Sequence, residues 1–579
     1  MRNGQSRLET TLKATLLAAA AGLLALAAPA AAAEQADLVL RNGRIYTVDA
    51  GRSVHPAMAV KGNSIVAIGT DADMTAWTGA ATRTIDLGGK LVLPGLIDAH
   101  VHPVYGALNA AKCSLEGLPG TLAAITPVIR ACFAKQPVSG DGWVEAVLLA
   151  NVGFVATAAD LDAIEATRPF VITDVDGHSM WTNSRALALA GITDETRDPP
   201  GGVIVRDSAG RATGMFADSA LDLVLKLVPQ PPLEEKAHLT TRVLDQMAGQ
   251  GITALTDASV TVAEMDVWQE LFRSGRLKLR VRTALLIEDP DGTDDAGIAR
   301  LVERARAGTL DPERLRADEV KIFADGVIEY PAQTAALLAP YLDADGKPTG
   351  NVGKLYFDPE RFKSLVTKLD KAGLNVHIHA IGDRATRASL DAFAAARAAN
   401  GPNGPAHQIA HLQLIDPADM PRFKALGIVA NMQLEWAKRE PATTGPIEPY
   451  LGPERYDHLY AARSLRDAGA VIAGGSDWPI SSFNPYRAMS LGITREDPSH
   501  ALGPLNAAEG VTIEDMIAAY TIHAAAAMGL EKVIGSLEVG KRADFVILDR
   551  DLFKVPPQTL PDTQVIATYS DGKAIYERK

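Results

Sequence analysis

The chain has 579 residues, of which 47% are hydrophobic and 22% are charged. This composition is globular and excludes a mostly disordered chain. Lys and Arg number 57 against 70 Asp and Glu, which gives a formal net charge of −13. Such an acidic protein would repel phosphate backbones, so nucleic acid is not expected as a partner. Two cysteines are too few for a disulfide-built fold or a cysteine-rich zinc site.

Residues 1–33 have the pattern of a signal peptide. Basic residues within the first 13 positions precede an apolar run at residues 14–28, and Pro29 and further alanines follow. This order predicts export to the periplasm or outside the cell, with cleavage near Ala33. The alternative is an uncleaved membrane anchor, but its helix would be broken by Pro29 and would barely reach the ~20 residues needed to span a bilayer. We therefore expect no stable membrane insertion.

Export bears on the two cysteines, Cys113 and Cys132. In an oxidising compartment a pair this close in sequence can form one disulfide. Two free buried thiols are the alternative, and the sequence does not decide between them.

Both ends of the mature chain have the texture of antiparallel β-structure. β-Branched runs with Asn-Gly or Gly-Asn turns occur at residues 36–48 and 59–68, and similar runs occur at residues 540–548 and 565–576. Neither end has enough strands to bury a core alone. We expect them to combine into one small β-sandwich domain, with bounds at 34–95 and 536–579.

Between these ends, strand-like apolar runs alternate with amphipathic helical segments, which is typical of parallel βα units. Eight candidate strands lie at residues 95–102, 251–257, 279–286, 319–325, 374–379, 408–411, 427–431 and 470–477. They predict an α/β fold with a (β/α)8 TIM barrel formed by residues 96–103 and 236–535. The gap after the first strand is too long for one helix, so we expect an insertion or lid at 104–235.

Several of these candidate strands end in a potential metal ligand. His100 and His102 lie two apart and share one face of a strand, while His379, His411 and Asp477 end three other strands. A barrel gathers its strand ends at one rim. Imidazoles and a carboxylate gathered there would suit zinc or a similar divalent ion.

Lys321 lies inside the apolar run Val-Lys-Ile-Phe at residues 320–323. A buried ammonium is costly unless it is paired or neutralised. One interpretation is a lysine paired with a buried acid. The other is a neutral amine that has reacted with carbon dioxide, which would give an anionic carbamate able to bridge two metals.

At this point the sequence resembles the amidohydrolase superfamily of metal-dependent hydrolases. Within it, the chain is most similar to the family-3 branch, typified by N-substituted formamide deformylase. The resemblance covers nearly the whole mature chain and rests on the stretches at residues 93–103, 178–187, 321–326, 377–384, 409–413, 475–479 and 535–548.

The resemblance implies a ligand set and a reaction. His100, His102 and Asp477 would hold one divalent ion, His379 and His411 would hold another, and Lys321, N6-carboxylated, would bridge them. Asp477 would also be the catalytic proton carrier. One or two ions, most simply zinc, would activate a hydroxide that cleaves a C–N bond of a small-molecule amide, N-acyl amine or N-formyl amine. The alternatives are ester hydrolysis, deamination or isomerisation at the same site, or a non-catalytic periplasmic binding protein.

Four further residues are predicted to lie near the substrate: His178 and Trp181 in the insertion, His377 beside the ligand His379, and Trp478 after Asp477. For His377 a supporting contact behind the ligands is equally open. A homodimer is the default expectation for the assembly.

Overall fold

The computed structural model describes residues 35–135, 142–150, 154–175, 177–199 and 201–579. The predicted signal peptide therefore lies outside the described residues, and its cleavage stays a prediction. Across the described ranges, no helix combines the length and the apolar character needed to cross a membrane.

Eight parallel strands form the central sheet, and each pairs with the next in chain order. Barrel strands 1 to 8 are Leu96–Val101, Ile252–Val260, Arg280–Leu286, Leu315–Phe323, Asn375–Ala380, Gln408–His411, Val429–Met432 and Val471–Gly474. Strand 8 returns to strand 1, because the Asp477 amide donates to the His100 carbonyl over 2.7 Å and the His102 amide donates to the Trp478 carbonyl over 2.9 Å. The predicted TIM barrel is confirmed.

Amphipathic helices cover the outside of the barrel. In Pro359–Lys371, the Asp358 side chain accepts from the amides of Glu360 and Arg361, and one face buries Phe362 and other apolar side chains. The helices that connect or follow the barrel strands are Leu233–Gly249, Val262–Arg273, Asp295–Gly308, Pro359–Lys371, Asp383–Asn400, Met420–Leu426, Pro441–Leu451, Pro453–Asp457, Ala462–Asp467, Pro485–Thr494, Ile513–Ala519 and Ile522–Ala527.

The two chain ends combine into a β-sandwich, as predicted. One sheet is formed by Leu38–Arg41, Ala57–Lys61, Ser64–Gly69 and Arg83–Asp86. The other is formed by Arg44–Tyr46, Val54–His55, Leu91–Pro94, Phe545–Leu548, Val565–Ser570 and Lys573–Glu577. Leu40, Met58, Phe545 and Tyr569 belong to one buried cluster that draws on both ends of the chain.

The insertion after strand 1 has a sheet of its own, which the sequence did not predict. Its six strands are Cys113–Ser114, Val144–Leu149, Phe170–Asp174, Ser179–Thr182, Gly202–Arg206 and Ala212–Asp218. Its helices are Leu122–Lys135, Ala158–Asp162, Ser184–Ala190 and Asp222–Leu225, and Pro103–Ala110 leads into it from the barrel. A disulfide joins Cys113 to Cys132.

We expect the Cys113→Ser/Cys132→Ser double variant to unfold at a lower temperature than the parent chain. The disulfide closes a loop with a sequence separation of 19 residues, which restricts the unfolded chain by about 3 kcal/mol in the chain-entropy account. Thermal unfolding in the absence of reductant measures the difference. With reductant present the two proteins should converge, and a persistent difference would contradict an effect of the disulfide.

Candidate metal centre

The predicted ligands converge at the carboxyl end of the barrel. The ring centroids of His100 and His102 are 5.3 Å apart, those of His100 and His411 are 4.8 Å apart, and those of His379 and His411 are 4.5 Å apart. Residues separated by more than three hundred positions in the sequence are therefore neighbours, because the barrel brings its strand ends together.

Asp477 lies among these rings. Its Oδ1 is 3.3 Å from His100 Nε2 and 3.0 Å from His102 Nε2, and its Oδ2 is 3.8 Å from His411 Nδ1. The ligand atoms of His100, His102 and Asp477 all lie within 4.8 Å of one another, so these three side chains can share one ion.

The donor atoms fit a divalent cation. His100 Nε2 and His411 Nδ1 are buried and make no hydrogen bond to any described residue. Burial, together with the charge of Lys321 and the neighbouring rings, holds the pKa of His100 well below its usual value. Burial does the same to the pKa of His411, and His379 adds to the effect. Neutral rings therefore direct lone pairs at a carboxylate, an arrangement that a cation between them would stabilise.

Lys321 is buried in strand 4, with 1% of its surface exposed. Its Nζ lies 4.9 Å from the centroid of the Phe323 ring. Burial lowers the pKa of Lys321 to about 8, against the opposing effects of Asp477 and Glu319. A large fraction of this amine is therefore neutral near pH 8, which carboxylation by carbon dioxide requires.

Two of the ligands have a strained backbone. His411 has φ +76° and Asp477 has φ +54°, in the left-handed region that costs side-chain-bearing residues free energy. Beside them, Gly475 packs against His100, and a Cβ on this glycine would lie 2.6 Å from the His100 Cβ. Strand 8 can approach strand 1 this closely only because residue 475 has no side chain.

His379 is oriented by the strand 4 loop. Its Nε2 donates to the carbonyl of Gly326 over 3.0 Å, which leaves Nδ1 as the nitrogen that can bind a metal. Asp325 stabilises the same loop by accepting from the amides of Ile381, Gly382 and Ala336.

His377 lies behind the ligands, between Glu319 and His100. Its Nδ1 donates to Glu319 over 2.7 Å and its Nε2 is 2.8 Å from His100 Nδ1. The ring is fully buried, and burial lowers its pKa to about 4 despite the Glu319 contact. Both nitrogens are already engaged, so this packing favours the supporting contact behind the ligands.

The insertion reaches the site through His178. Its Nδ1 lies 2.7 Å from Asp218 Oδ1, and its ring centroid is 6.0 Å from that of His379. Trp181 does not share this position. It is 2% exposed and packs edge-on against Phe154 in the core of the insertion, so the predicted substrate contact of Trp181 is not supported.

A cavity of about 560 Å³ lies beside two residues that neighbour the ligands, although no ligand side chain lines it. The Trp436 ring, which stacks on His411 at 5.5 Å, and Trp478, which follows Asp477, form part of its wall. Glu435, Lys438, Glu440 and Arg487 add charged groups to the lining. The cavity therefore combines aromatic and charged walls, and the substrate contact predicted for Trp478 stays a prediction.

Comparison with known proteins identifies the chain. Residues 83–576 match the model of the family described as Amidohydrolase family. The chain belongs to this family. It is 31% identical over 93% of its length to "Protein LONG AFTER FAR-RED 3" of Arabidopsis thaliana, covering 92% of that protein. It is 29% identical over 94% of its length to "N-substituted formamide deformylase" of Arthrobacter pascens, covering 98% of that protein.

The fold is shared with solved structures as well. An uncharacterized metal-dependent hydrolase from Pyrococcus horikoshii superposes with a TM-score of 0.70 at 22% identity, over 90% of this chain and 99% of that one. Family and fold together make the protein a hydrolase of the amidohydrolase superfamily.

Four residues around the ligands were not predicted from the sequence: Arg282, Glu319, Asp218 and Trp436. Glu319 had a usable signal, because it lies two residues before Lys321 in the same strand and therefore faces the same side. Asp218 and Trp436 reach the site from the insertion and from the loop after strand 7, and nothing in the sequence predicts those paths.

Proposed function

We propose that this amidohydrolase is a metal-dependent enzyme that cleaves the C–N bond of an N-acyl or N-formyl amine or a related non-peptide amide. The observation that carries the proposal is the position of the Asp477 carboxylate, within 3.3 Å of the His100 and His102 rings and 3.8 Å from His411. The name of the Arthrobacter pascens relative supports an N-substituted formamide as one substrate type.

His100, His102 and Asp477 would hold one ion, and His379 and His411 a second, with carboxylated Lys321 between them. These nitrogen and oxygen donors suit zinc. The chemistry that a bound divalent ion supplies is polarisation of the carbonyl and a lowered pKa of water.

The residues of the chain supply the remaining requirements. Asp477 can accept the proton of the attacking water and deliver it to the departing amine nitrogen, because its carboxylate lies at the centre of the ligand cluster. Burial raises the pKa of Asp477, but the hydrogen bond from His102 leads the opposing effects, and the pKa is lowered overall. The carboxylate is therefore ionised and ready to accept a proton.

Substrate would lie between the ligands and the cavity walls. Trp436 and Trp478 offer flat apolar surface to one side of the amide, and His178, held by Asp218, approaches from the insertion. These groups would orient the scissile bond toward Asp477 and exclude bulk water.

Removal of metal should abolish the activity reversibly. We expect purified protein dialysed against a chelator to lose at least 90% of its amine-releasing activity, roughly in proportion to the metal removed, and to regain it when zinc is added. Metal content by mass spectrometry and amine release, measured on the same samples, test this. Full activity at negligible metal content would contradict the proposal.

The bond that is cleaved is tested by a matched set of substrates. Formamides, acetamides, the corresponding esters and an aminated heterocycle are incubated with the enzyme, and released amine, acid and ammonia are measured separately. Amine release from the amides supports the proposal. Release of acid from the esters alone, or of ammonia alone, would favour ester hydrolysis or deamination instead.

A further inference from the structure

A row of four contacting side chains is buried inside the barrel: His100, His377, Glu319 and Arg282. His100 Nδ1 is 2.8 Å from His377 Nε2, and His377 Nδ1 is 2.7 Å from Glu319 Oε1. The other carboxylate oxygen of Glu319 is 3.0 Å from Arg282 Nε. All four side chains are at most 1% exposed.

The donor and acceptor roles along this row of side chains follow from Arg282. A guanidinium can only donate, so the Glu319 carboxylate is kept as an acceptor. Gln408 Nε2 also donates to Glu319 Oε1, over 2.6 Å, so donors face both oxygens of the carboxylate. His377 must therefore carry its proton on Nδ1, and its neutral ring has only a lone pair at Nε2.

The same logic extends to His100. Because His377 Nε2 can only accept, His100 must donate through Nδ1. The lone pair of His100 is then on Nε2, the nitrogen that lies 3.3 Å from Asp477 Oδ1.

We propose that Glu319, acting through His377, determines which ring nitrogen of His100 carries the proton. The proton is held on Nδ1, so that Nε2 is the nitrogen that His100 presents to the metal. This inference rests on the proposed metal site, and it makes Glu319 and His377 positioning residues.

Loss of these contacts should lower the affinity for one ion only. The row of side chains ends at His100, whose ligand atom lies within 4.8 Å of those of His102 and Asp477. His379 is held separately by the Gly326 carbonyl over 3.0 Å. Disruption of this row should therefore weaken binding of the ion at His100. Binding of the ion at His379 and His411 should be nearly unchanged.

The first test is His377→Phe, which keeps a flat ring but removes both nitrogens. In zinc titrations of the full chain against a competing chelator, we expect the affinity for one ion to fall about 10- to 100-fold. Affinity for the second ion, where the parent chain binds one, should stay within about threefold. His377→Gln keeps an amide oxygen that can accept from His100 Nδ1 and should recover part of the loss.

The second test is Glu319→Gln, which changes no volume. The charged Arg282 will hold the amide oxygen, so the amide NH2 group faces His377 Nδ1. Gln408 Nε2, which donates to Glu319 Oε1 over 2.6 Å in the parent chain, then loses its acceptor. His377 then accepts at Nδ1 and donates at Nε2, and His100 is forced to carry its proton on the metal-facing nitrogen. Glu319→Gln should therefore weaken binding of the same ion as His377→Phe does, although His100 and His377 are both still present.

His407→Phe is the matched control. His407 is also fully buried and contacts a carboxylate, Asp370, over 2.8 Å, but it contacts none of the ligands. It should lower the unfolding temperature of the metal-free protein without changing either zinc affinity.

Zinc binding by Glu319→Gln and His377→Phe that equals the parent chain would overturn the inference, and so would an equal loss in His407→Phe. A parent chain that binds no divalent ion would instead overturn the proposed function, and the inference with it.

Discussion

Asp477→Asn should lower kcat by about 10²- to 10⁴-fold, the range that a positioned proton carrier contributes. The asparagine keeps one oxygen near His100 and His102, whose Nε2 atoms lie 3.3 Å and 3.0 Å from the present carboxylate. Its NH2 group cannot accept a proton from water, so the chemical step fails although much of the ligand set is intact. Steady-state amine release, with metal content measured on the same preparation, tests this.

Asp370→Asn is the control for Asp477→Asn. Asp370 is also a buried aspartate, but it lies in the helix Pro359–Lys371 and binds Arg397 and His407 outside the ligand cluster. It should lower stability and leave kcat within about threefold. A near-normal rate in Asp477→Asn at full metal content would remove Asp477 from the mechanism. Loss of all metal in that variant would show that its charge is needed for binding, and the proton role would then have to be tested by the pH profile of the metal-reloaded protein.

The sequence predicted the barrel and the ligand cluster because both depend on local patterns. Strand 6, Gln408–His411, coincides with its prediction, since a short run with two apolar residues ends at a histidine. Strand 4 begins at Leu315, earlier than the predicted residue 319, because buried Leu315 and Ala317 alternate with the partly exposed Arg316 and Asp318. In the sequence alone, the charged residues at 316 and 318 make this segment look like a polar loop.

Contacts between distant elements could not be predicted in the same way. His377 and His379 are two residues apart on one strand face, and only the three-dimensional position of Glu319 and His100 separates the supporting ring from the ligand. Trp181 belongs to a motif that suggested substrate contact, but the sheet of the insertion turns it toward Phe154. In both cases the deciding partner comes from a different part of the chain.

Lys321→Ala should lower kcat by roughly 10²- to 10³-fold, the cost of removing one group that stabilises developing charge. Burial lowers the pKa of Lys321 to about 8, which favours the neutral amine. This amine can form an N–C bond to carbon dioxide and release one proton to solvent. The product carbamate would supply two oxygens between the ions. Alanine removes that bridge and leaves space at the ligand cluster.

Added acetate or propionate should therefore restore part of the activity of Lys321→Ala, because a small carboxylate can occupy the space left by the carbamate. Lys236→Ala provides the control, since Lys236 is a buried lysine on the helix Leu233–Gly249 and contacts none of the ligands. Its activity should be normal and insensitive to acetate. In the parent chain, ¹³C-labelled bicarbonate should give a carbamate resonance that Lys321→Ala lacks. If that resonance is absent from the active parent enzyme, Lys321 acts as an unmodified lysine near the charges of Asp477 and Glu319. Any group between the ions must then come from another source, such as solvent.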